Sequence, residues 1–541
     1  MASAAMPSGG RLWRGAGTEG KWRPARTLVG CLFDLLYPAL KCRVEMADGD
    51  AFIRRPPGRP RTSSSYHLAR APDPVPTRAK TDGRQAFCLI TPALDLIRVV
   101  RFNTAEQIVG TAPSPSRRLA PMLRRTKRRC RQPFTRRTVL NAGLAWAALK
   151  VVAPLPIQAR GEQAVKIGMI EPLSGVYAKL AEAEVEGARV AIEEVNAGGG
   201  ILGRPAQLLI EDSANTIANG VAKTRQLIDR DHVDFILGDL NSSIALAMTR
   251  VTSERRKLHI VTGAHVDAIT GQHCCWNVFR VCKTTSVEAN AIAETLIRKF
   301  GKKWYFLTPD YAYGYALQAA FEQKLREHEG TWSGDILPLG TTDYSEPLLN
   351  AKNYLPDVLI NIMGGDDQVS SLEQIVRFGL TEKMAVGGAL FELESILAVS
   401  DAARIGWWTM EWWWDQPGMP QVDAFNAAIR RRTGKVASAR NWFGYVAVHT
   451  LAQIANQEKS LAAVALARAL QGYVLPVQVS LERSRAFFRA GDHQLMSTLL
   501  VGEVHPPRGD TFDVFTPQAA VSAEQFGDGS TATACKLAFP T

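Results

Sequence analysis

The fold is decided by the stretch that begins Lys166-Ile-Gly-Met-Ile-Glu-Pro-Leu-Ser-Gly-Val-Tyr177, continues through an Ala/Glu-rich run and ends Asn196-Ala-Gly-Gly-Gly-Ile-Leu-Gly-Arg-Pro205. A short apolar segment leads into a Ser-Gly turn, an amphipathic run follows, and a glycine cluster ends the helix before the next strand. This order is typical of a βαβ unit. Ligands bind beyond the carboxyl ends of strands in open α/β sheets, so the turn that carries Tyr177 is a candidate ligand contact.

Short apolar runs recur along the rest of the chain and are separated by helical patterns. They lie at 165–170, 206–211, 233–238, 258–262, 303–308, 357–363 and 383–388. Strands that alternate with helices predict parallel sheets covered on both faces. The stretch is too long for one comfortable core, so we expect an α/β protein with two Rossmann-like lobes joined near 277–286.

The net charge of +12 is distributed unevenly along the 541 residues. Residues 1–160 contain 29 of the 64 Lys and Arg but only 9 of the 52 Asp and Glu, which gives +20 there and −8 in the remainder. A basic block of one sign is typical of a solvated tail or a targeting segment. The basicity therefore does not indicate a nucleic-acid partner.

A basic run that begins at Met122 leads through Thr135-Arg-Arg-Thr-Val-Leu140 into the mostly apolar stretch 142–157. This order resembles a twin-arginine secretory signal peptide at 122–160, with cleavage near Ala159. The apolar stretch is shorter than the roughly 20 residues that cross a bilayer. We therefore expect the mature protein to be exported to the periplasm.

Residues 1–121 are rich in Arg, Pro, Ser and Gly and show weak periodicity. Such a composition predicts too little apolar burial to offset chain entropy. We expect this stretch to be disordered or to be a spurious N-terminal extension. A signal peptide is read near the N-terminus, so our hypothesis is that translation starts at or near Met122.

Four of the eight cysteines follow the predicted leader, namely Cys274, Cys275, Cys282 and Cys535. An oxidising compartment would permit a disulfide. The segment between Cys275 and Cys282 is predicted to be one strand, which would separate their Cα atoms by roughly 23 Å, beyond the about 7 Å that a disulfide allows. The spacing of Cys and His does not predict a structural zinc site.

Several short motifs occur in a fixed order along the chain. They are Phe235-Ile-Leu-Gly-Asp-Leu-Asn-Ser-Ser243, Val261-Thr-Gly-Ala264, Asn277-Val-Phe-Arg280, Asp310-Tyr-Ala-Tyr-Gly314, Asp357-Val-Leu-Ile-Asn-Ile-Met-Gly-Gly-Asp366 and Val386-Gly-Gly388. Through them the chain resembles the leucine-binding-protein branch of the type I periplasmic binding proteins, which deliver small solutes to ABC importers. The resemblance covers about 163–500, and the order of the motifs is more specific than any single motif.

The resemblance implies three crossings between discontinuous lobes. Lobe one would contain 163–283 and about 412–487, and lobe two would contain 284–411 and about 488–520. Residues 521–541 would form a C-terminal tail.

The best candidate for a ligand contact in lobe one is the turn Asn241-Ser242-Ser243. Hydroxyl groups and free N–H groups at a helix start can bind a carboxylate, and the resemblance places the family's carboxylate-binding serine at Ser242. The alternative is that Ser242 only caps the helix. Ala264 and His265 follow the next strand, and a ring nitrogen of His265 could replace a hydroxyl that is missing at Val266.

In lobe two, the resemblance aligns Tyr313 with a tyrosine that closes over the ligand. Asp366 could pair with a ligand ammonium or amide, or it could cap a helix. Ala389 stands where amino acid binders of the family carry a glutamate for the α-ammonium. The alternatives are that Asp366, Glu392 or Glu411 replaces that glutamate, or that the ligand lacks an amine.

The Trp-rich run from Gly406 to Asp415 includes Trp413. If the run is a strand, Trp407, Glu411 and Trp413 share one face, and one face could stack on a planar ligand. The alternative is that these rings belong to the core, as buried aromatic side chains commonly do.

No nucleophile with a base, metal site or phosphate loop is identifiable, so catalytic residues, metal ligands and cofactors are not predicted. We expect an extracytoplasmic substrate-binding component of an ABC importer, with the transporter's membrane subunits as partners. The ligand would be an amino acid, amide, urea derivative or aromatic acid. The alternative is a ligand-sensing regulator, either an amide sensor or the effector domain of a transcriptional regulator.

Overall fold

The computed structural model describes residues 163–522, 525 and 534–540, together with the backbone of 43–47 and 50–54. The predicted signal peptide at 122–160 and the cleavage point near Ala159 lie outside the described residues. Within 1–121 an antiparallel pair is described, β1 (Arg43–Ala47) and β2 (Asp50–Arg54). These two strands comprise ten residues of 1–121, and the expectation that this stretch is disordered or a spurious extension stays a prediction.

The remaining strands are, in chain order, β3 (Val165–Glu171), β4 (Ala206–Asp212), β5 (Phe235–Gly238), β6 (Leu258–Val261), β7 (Val278–Arg280), β8 (Lys303–Pro309), β9 (Thr331–Leu337), β10 (Val358–Asn361), β11 (Ala385–Gly387), β12 (Trp407–Met410), β13 (Val474–Leu475), β14 (Ala486–Phe488), β15 (Leu495–Met496), β16 (Leu499–Val504) and β17 (Phe515–Val521). All seven strands predicted from apolar runs are present, with ends shifted by a few residues.

The helices are, in chain order, α1 (Ala178–Ala197), α2 (Ile217–Asp229), α3 (Ser242–Glu254), α4 (Thr285–Phe300), α5 (Ala312–Glu327), α6 (Ser345–Tyr354), α7 (Gly365–Arg377), α8 (Leu393–Ile396), α9 (Pro420–Thr433), α10 (Ala439–Glu458), α11 (Ala463–Leu470) and α12 (Val477–Ser480). From β3 to β12, strands and α-helices alternate except between β6 and β7, which is the pattern of an α/β fold.

The first lobe is built on a parallel five-stranded sheet in the order β4-β3-β5-β6-β7. Its central strands are apolar on both faces because helices cover both sides, and α1 and α10 pack against each other on one of them. A small antiparallel sheet, β13-β14-β15, shares the same apolar core.

The second lobe is built on a seven-stranded sheet in the order β17-β16-β12-β11-β10-β8-β9. The strands from β9 to β12 in this order are parallel, and β16 and β17 add an antiparallel edge. The predicted α/β class with predominantly parallel sheets is confirmed. The antiparallel edge arises because β16 comes from the C-terminal part of the chain and enters the sheet from the opposite end.

The chain passes between the two sheets at 281–284, 411–419 and 497–498, which we call the hinge. The third passage follows β14 and β15 rather than lying near 487. Aromatic contacts hold this segment on the first lobe, because Phe279 stacks on His493 with ring centroids 3.9 Å apart and meets Phe488 edge-on at 5.3 Å. Because these contacts hold Phe488 and His493 on the first lobe, the chain crosses to the second lobe only after residue 496.

A disulfide joins Cys274 to Cys535 across 261 residues of sequence, whereas Cys275 and Cys282 are free. The C-terminal segment 534–540 is thereby attached to the first lobe, where Phe539 also packs against Trp276 at 6.0 Å. Among the described residues, we find no helix long and apolar enough to cross a bilayer.

Candidate functional site

A small cavity lies between the two lobes, at the carboxyl ends of their parallel strands. Its volume is about 20 Å³, which is close to the smallest space that holds one water molecule. It is lined from the first lobe by Tyr177, Leu180, Leu240, Ser242, Gly263, His265 and Arg440, and from the second by Tyr311, Tyr313, Met363, Gly364, Leu390 and Glu392. Both sheets therefore contribute at the edge where α/β folds bind ligands.

Ser242 is the first residue of α3, and it does not cap that helix. Asn241 is the cap, because its side-chain oxygen accepts hydrogen bonds from the N–H groups of Ser243 and Ile244 at 2.9 and 3.3 Å. The Ser242 hydroxyl oxygen instead accepts from the backbone N–H of Val266 at 3.3 Å. Its own proton and the positive end of the α3 dipole remain available to an anion.

Three tyrosine rings follow one another along the cavity wall. The hydroxyl of Tyr177 in the first lobe donates to that of Tyr311 in the second at 2.9 Å, and the rings of Tyr311 and Tyr313 lie 5.8 Å apart. Burial raises the pKa of all three hydroxyls, so they stay protonated and able to donate. His265 continues the row, with its ring 5.9 Å from that of Tyr313.

Arg440 brings a buried positive charge to the same wall. Its Nη1 donates to Glu184 Oε1 at 2.8 Å and to the carbonyl oxygen of Gly263 at 3.3 Å. Its Nε donates to Glu392 Oε1 at 3.0 Å, and Nη2 donates to the same oxygen. Because Glu392 belongs to the second lobe, this ion pair joins the two halves across the cavity.

The position of Arg440 depends on a close crossing of α1 and α10. Gly187 of α1 and Gly444 of α10 have no side chain at the contact. A Cβ at Gly187 would overlap the carbonyl of Asn441, and a Cβ at Gly444 would overlap the carbonyl of Glu184. The two glycines therefore permit a backbone approach that brings Arg440 within reach of Glu184.

His265 also connects the cavity to the hinge. Its Nδ1 lies 3.2 Å from the carbonyl oxygen of Lys283, 3.2 Å from Glu411 Oε1 and 3.4 Å from Glu288 Oε1. Three acceptors around one nitrogen require that Nδ1 carries a proton. Burial alone would lower the pKa of His265, but the adjacent Cys282 and Glu288 raise it well above the usual value.

The hinge passages are tied together by the same group of side chains. Glu411 accepts from the backbone N–H of Lys283 at 2.7 Å, and the Lys283 ammonium donates to the hydroxyl of Ser497. Burial would raise the pKa of Glu411, but His265 and Lys283 outweigh it and lower the pKa to about 2. Burial raises the pKa of Glu288 to about 8, so Glu288 is mostly protonated at neutral pH.

His265, Glu288 and Glu411 have donor atoms that all lie within 4.8 Å of one another, a spacing that a metal ion could bridge. The Lys283 ammonium already lies 3.7 Å from Glu411 and supplies a positive charge there. His265 and Lys283 both pair with Glu411, so its charge is compensated by side chains of the protein.

Several predicted contacts lie beside the cavity instead of lining it. The Ser243 hydroxyl accepts from the backbone N–H of Ala312, which links the lobes at 3.3 Å. Ala264 is buried in an apolar cluster, and its carbonyl accepts from Arg280. Asp366 lies on the rim, where its carboxylate pairs with Lys179 at 2.8 Å and half of its side chain is exposed.

The Trp-rich run does not form one long strand, because β12 ends at Met410. Trp412 joins the core of the first lobe and Trp413 that of the second. Both rings border another cavity, of about 400 Å³, beside the hinge. In the part of the chain that the structure describes, the tryptophans thus contribute to the two cores and not to the wall of the small cavity.

Arg440 and Tyr311 are the cavity residues with polar side chains that our sequence analysis did not select as ligand contacts. Arg440 lies between the two capping-box residues Ser438 and Asn441, in the first turn of α10. A cation in the first turn of a helix is unfavourable, because the helix dipole is positive at that end. The position of Arg440 was therefore the feature of the sequence that could have indicated a functional role. Tyr311 lies two residues before Tyr313, in the turn between β8 and α5.

Comparison with known proteins identifies the family to which the chain is similar. A family model described as periplasmic binding protein matches residues 164–510. The Leu/Ile/Val-binding protein BraC3 of Rhizobium johnstonii is 28% identical over 211 residues, which cover 39% of this chain and only 57% of that protein. The Leu/Ile/Val-binding protein homolog 7 of Brucella melitensis is 25% identical over 344 residues, which cover 60% of this chain and 84% of that protein.

Among solved structures, a periplasmic binding protein from Burkholderia mallei is similar with a TM-score of 0.63. It is 24% identical, and the match covers 67% of this chain and 96% of that one. This likeness shows a shared fold.

Proposed function

The chain belongs to the type I periplasmic binding protein family, and from that premise we propose that it is the extracytoplasmic substrate-binding component of an ABC importer. Members of this family are periplasmic and bind ligands rather than transform them. The solute would be held in the cavity between the lobes as an amino acid, amide or related small carboxylate. The transporter's membrane subunits would recognise the closed form.

One observation carries the proposal. Polar groups from both lobes converge on one cavity at the strand ends, and the same side chains reach the hinge through His265. A ligand that touches both walls stabilises the closed arrangement relative to the open one, because only the closed form supplies all of its contacts. This is the behaviour that a delivery protein requires.

Within the cavity, we assign the carboxylate of the solute to the start of α3. The Ser242 hydroxyl and the N-terminal end of a 13-residue helix favour an anion there. Tyr177, Tyr313 and His265 would close over the rest of the solute. Ser243 and Asp366 would act at the contact between the lobes, where they already join Ala312 and Val176.

We further propose that the chain is exported with cleavage near Ala159. Mass spectrometry of the periplasmic fraction should then find a mature protein that begins shortly after that residue. The alternative function, a ligand-sensing regulator, would instead leave uncleaved protein in the cytoplasm. The family match supports the transport function over this alternative.

The test is a thermal-shift screen of the full chain against amino acids, amides, urea derivatives and aromatic acids. A ligand at 100 times its dissociation constant adds about 2.7 kcal/mol to the stability. The Ser242→Ala/Tyr313→Ala variant should lose the shift of the best ligand while keeping the unliganded melting temperature within a few degrees. Tyr315→Ala is the matched control, because Tyr315 lies on the same helix but is 48% exposed. A full response in the double variant would contradict the assignment of the cavity.

A further inference from the structure

We propose that the solute is a small carboxylic acid that carries no α-ammonium group. This inference rests on the proposed function and narrows it. It follows from the side chains that already neutralise the charges at the cavity wall.

Glu392 is the carboxylate that lines the cavity, and it is already paired. Its Oε1 accepts two N–H groups of Arg440, from Nε at 3.0 Å and from Nη2. Both side chains are nearly inaccessible to solvent, with exposed fractions of 4% for Arg440 and 6% for Glu392. Charge-assisted pairs of this kind are strong, so an arriving ammonium would have to compete with a guanidinium that is fixed in place.

The guanidinium itself would repel an ammonium at this wall. Arg440 is also held by Glu184 and the carbonyl of Gly263, so it cannot turn away without losing buried hydrogen bonds. Placing a second cation a few ångströms away in a site of low dielectric constant is unfavourable. Glu184 does not line the cavity and therefore offers the solute no direct contact.

The carboxylates of this ion pair already have a cationic partner. Arg440 pairs with both Glu184 and Glu392, and its Nη2 lies 3.5 Å from His265 Nε2. At the hinge, Lys283 offsets Glu411 at 3.7 Å. Burial keeps Glu288 largely protonated because it raises the pKa to about 8.

Donors to an anion, by contrast, are concentrated at one end of the cavity. The Ser242 hydroxyl and the start of α3 line the same part of the cavity as the ring of His265. The acceptors at the hinge contact Nδ1 of this ring, so Nε2 is not involved in the hinge contacts. A carboxylate at this point would face donors on two sides.

The rest of the wall suits a hydrocarbon or aromatic remainder. Leu180, Leu240, Met363 and Leu390 line it together with the tyrosine rings. A solute with one charged end and an apolar body would match this division. An α-amino acid would place a second charge beside the first, next to Arg440.

The test uses matched pairs of solutes that differ by the ammonium group. Isocaproate is compared with L-leucine, and hydrocinnamate with L-phenylalanine, by isothermal titration of the full chain at neutral pH. We expect the acid of the better-bound pair to bind at least about tenfold more tightly than the amino acid, because the like-charge contact is absent. An amino acid that binds as tightly as its matched acid, or more tightly, would overturn the inference while leaving the proposed function intact.

Failure of the proposed function has a different signature. In that case neither member of either pair binds, and the wider screen of amides, ureas and aromatic acids also gives no response. This result would overturn both proposals.

Discussion

The Nδ1 atom of His265 lies 3.2 Å from Oε1 of Glu411, so a side chain of the cavity wall is in contact with the hinge. Glu411 in turn accepts from the backbone of Lys283, which belongs to another hinge passage. A ligand that holds His265 therefore acts on the segment about which the lobes move. The contacts from His265 through Glu411 to Lys283 therefore connect the cavity wall physically to the hinge.

The Glu411 carboxylate should be essential to stability. Glu411→Gln leaves the charges of His265 and Lys283 without their buried partner, and we expect a loss of about 3 to 5 kcal/mol in the free energy of unfolding. Urea denaturation followed by tryptophan fluorescence measures this loss. Glu503→Gln, an exposed position on β16, is the control and should change the stability by less than about 0.5 kcal/mol. Equal effects of the two changes would argue against a hinge network.

The crossing of α1 and α10 should not tolerate a methyl group. Gly444→Ala would press a Cβ against the carbonyl of Glu184, and we expect a loss of about 1 to 3 kcal/mol together with weaker ligand binding. Gly491→Ala is the matched control, since a Cβ there meets no atom within 4 Å. Differential scanning calorimetry of both variants decides the point. A neutral Gly444→Ala would mean that the helices lie further apart than described.

His259 should contribute to acid sensitivity. Burial lowers its pKa to about 4, and its Nε2 lies 2.6 Å from the carbonyl oxygen of Gly238. The unfolded chain binds a proton at His259 between about pH 6.5 and 4 while the folded chain does not, so stability falls as the pH drops through this window.

The difference in unfolding free energy between wild type and His259→Gln should therefore change by up to about 3 kcal/mol between pH 7 and 4. Comparing the two proteins isolates this site from Glu288, whose raised pKa acts in the opposite direction over an overlapping range. A pH-independent difference would show that His259 titrates normally in the folded state.

The disulfide should stabilise the first lobe. Replacing both Cys274 and Cys535 with serine removes a link between segments 261 residues apart, and we expect a loss of about 2 to 5 kcal/mol. Cys275→Ser is the control, because Cys275 is free. Melting temperatures with and without reductant should differ for the control and coincide for the double variant. Identical melting behaviour of all proteins under both conditions would contradict a structural role.

The fold was predictable because its strands are continuous apolar runs, and each of the seven predicted runs contains a strand. Ser242, His265 and Tyr313 could be selected because they follow such strands at the carboxyl edge of a sheet. Arg440 could not be selected in this way, because its partner Glu184 lies 256 residues away and the contact depends on two glycines of different helices. The role of Glu411 was equally hidden, since Lys283 is 128 residues distant.

The most direct test of the account is a crystal structure of the protein with the carboxylate that binds best in the screen. We predict that its carboxyl group lies on the Ser242 hydroxyl and the start of α3, between the lobes, with Tyr313 and His265 against it. A ligand bound elsewhere, for example in the larger cavity beside Trp412 and Trp413, would contradict the central claim.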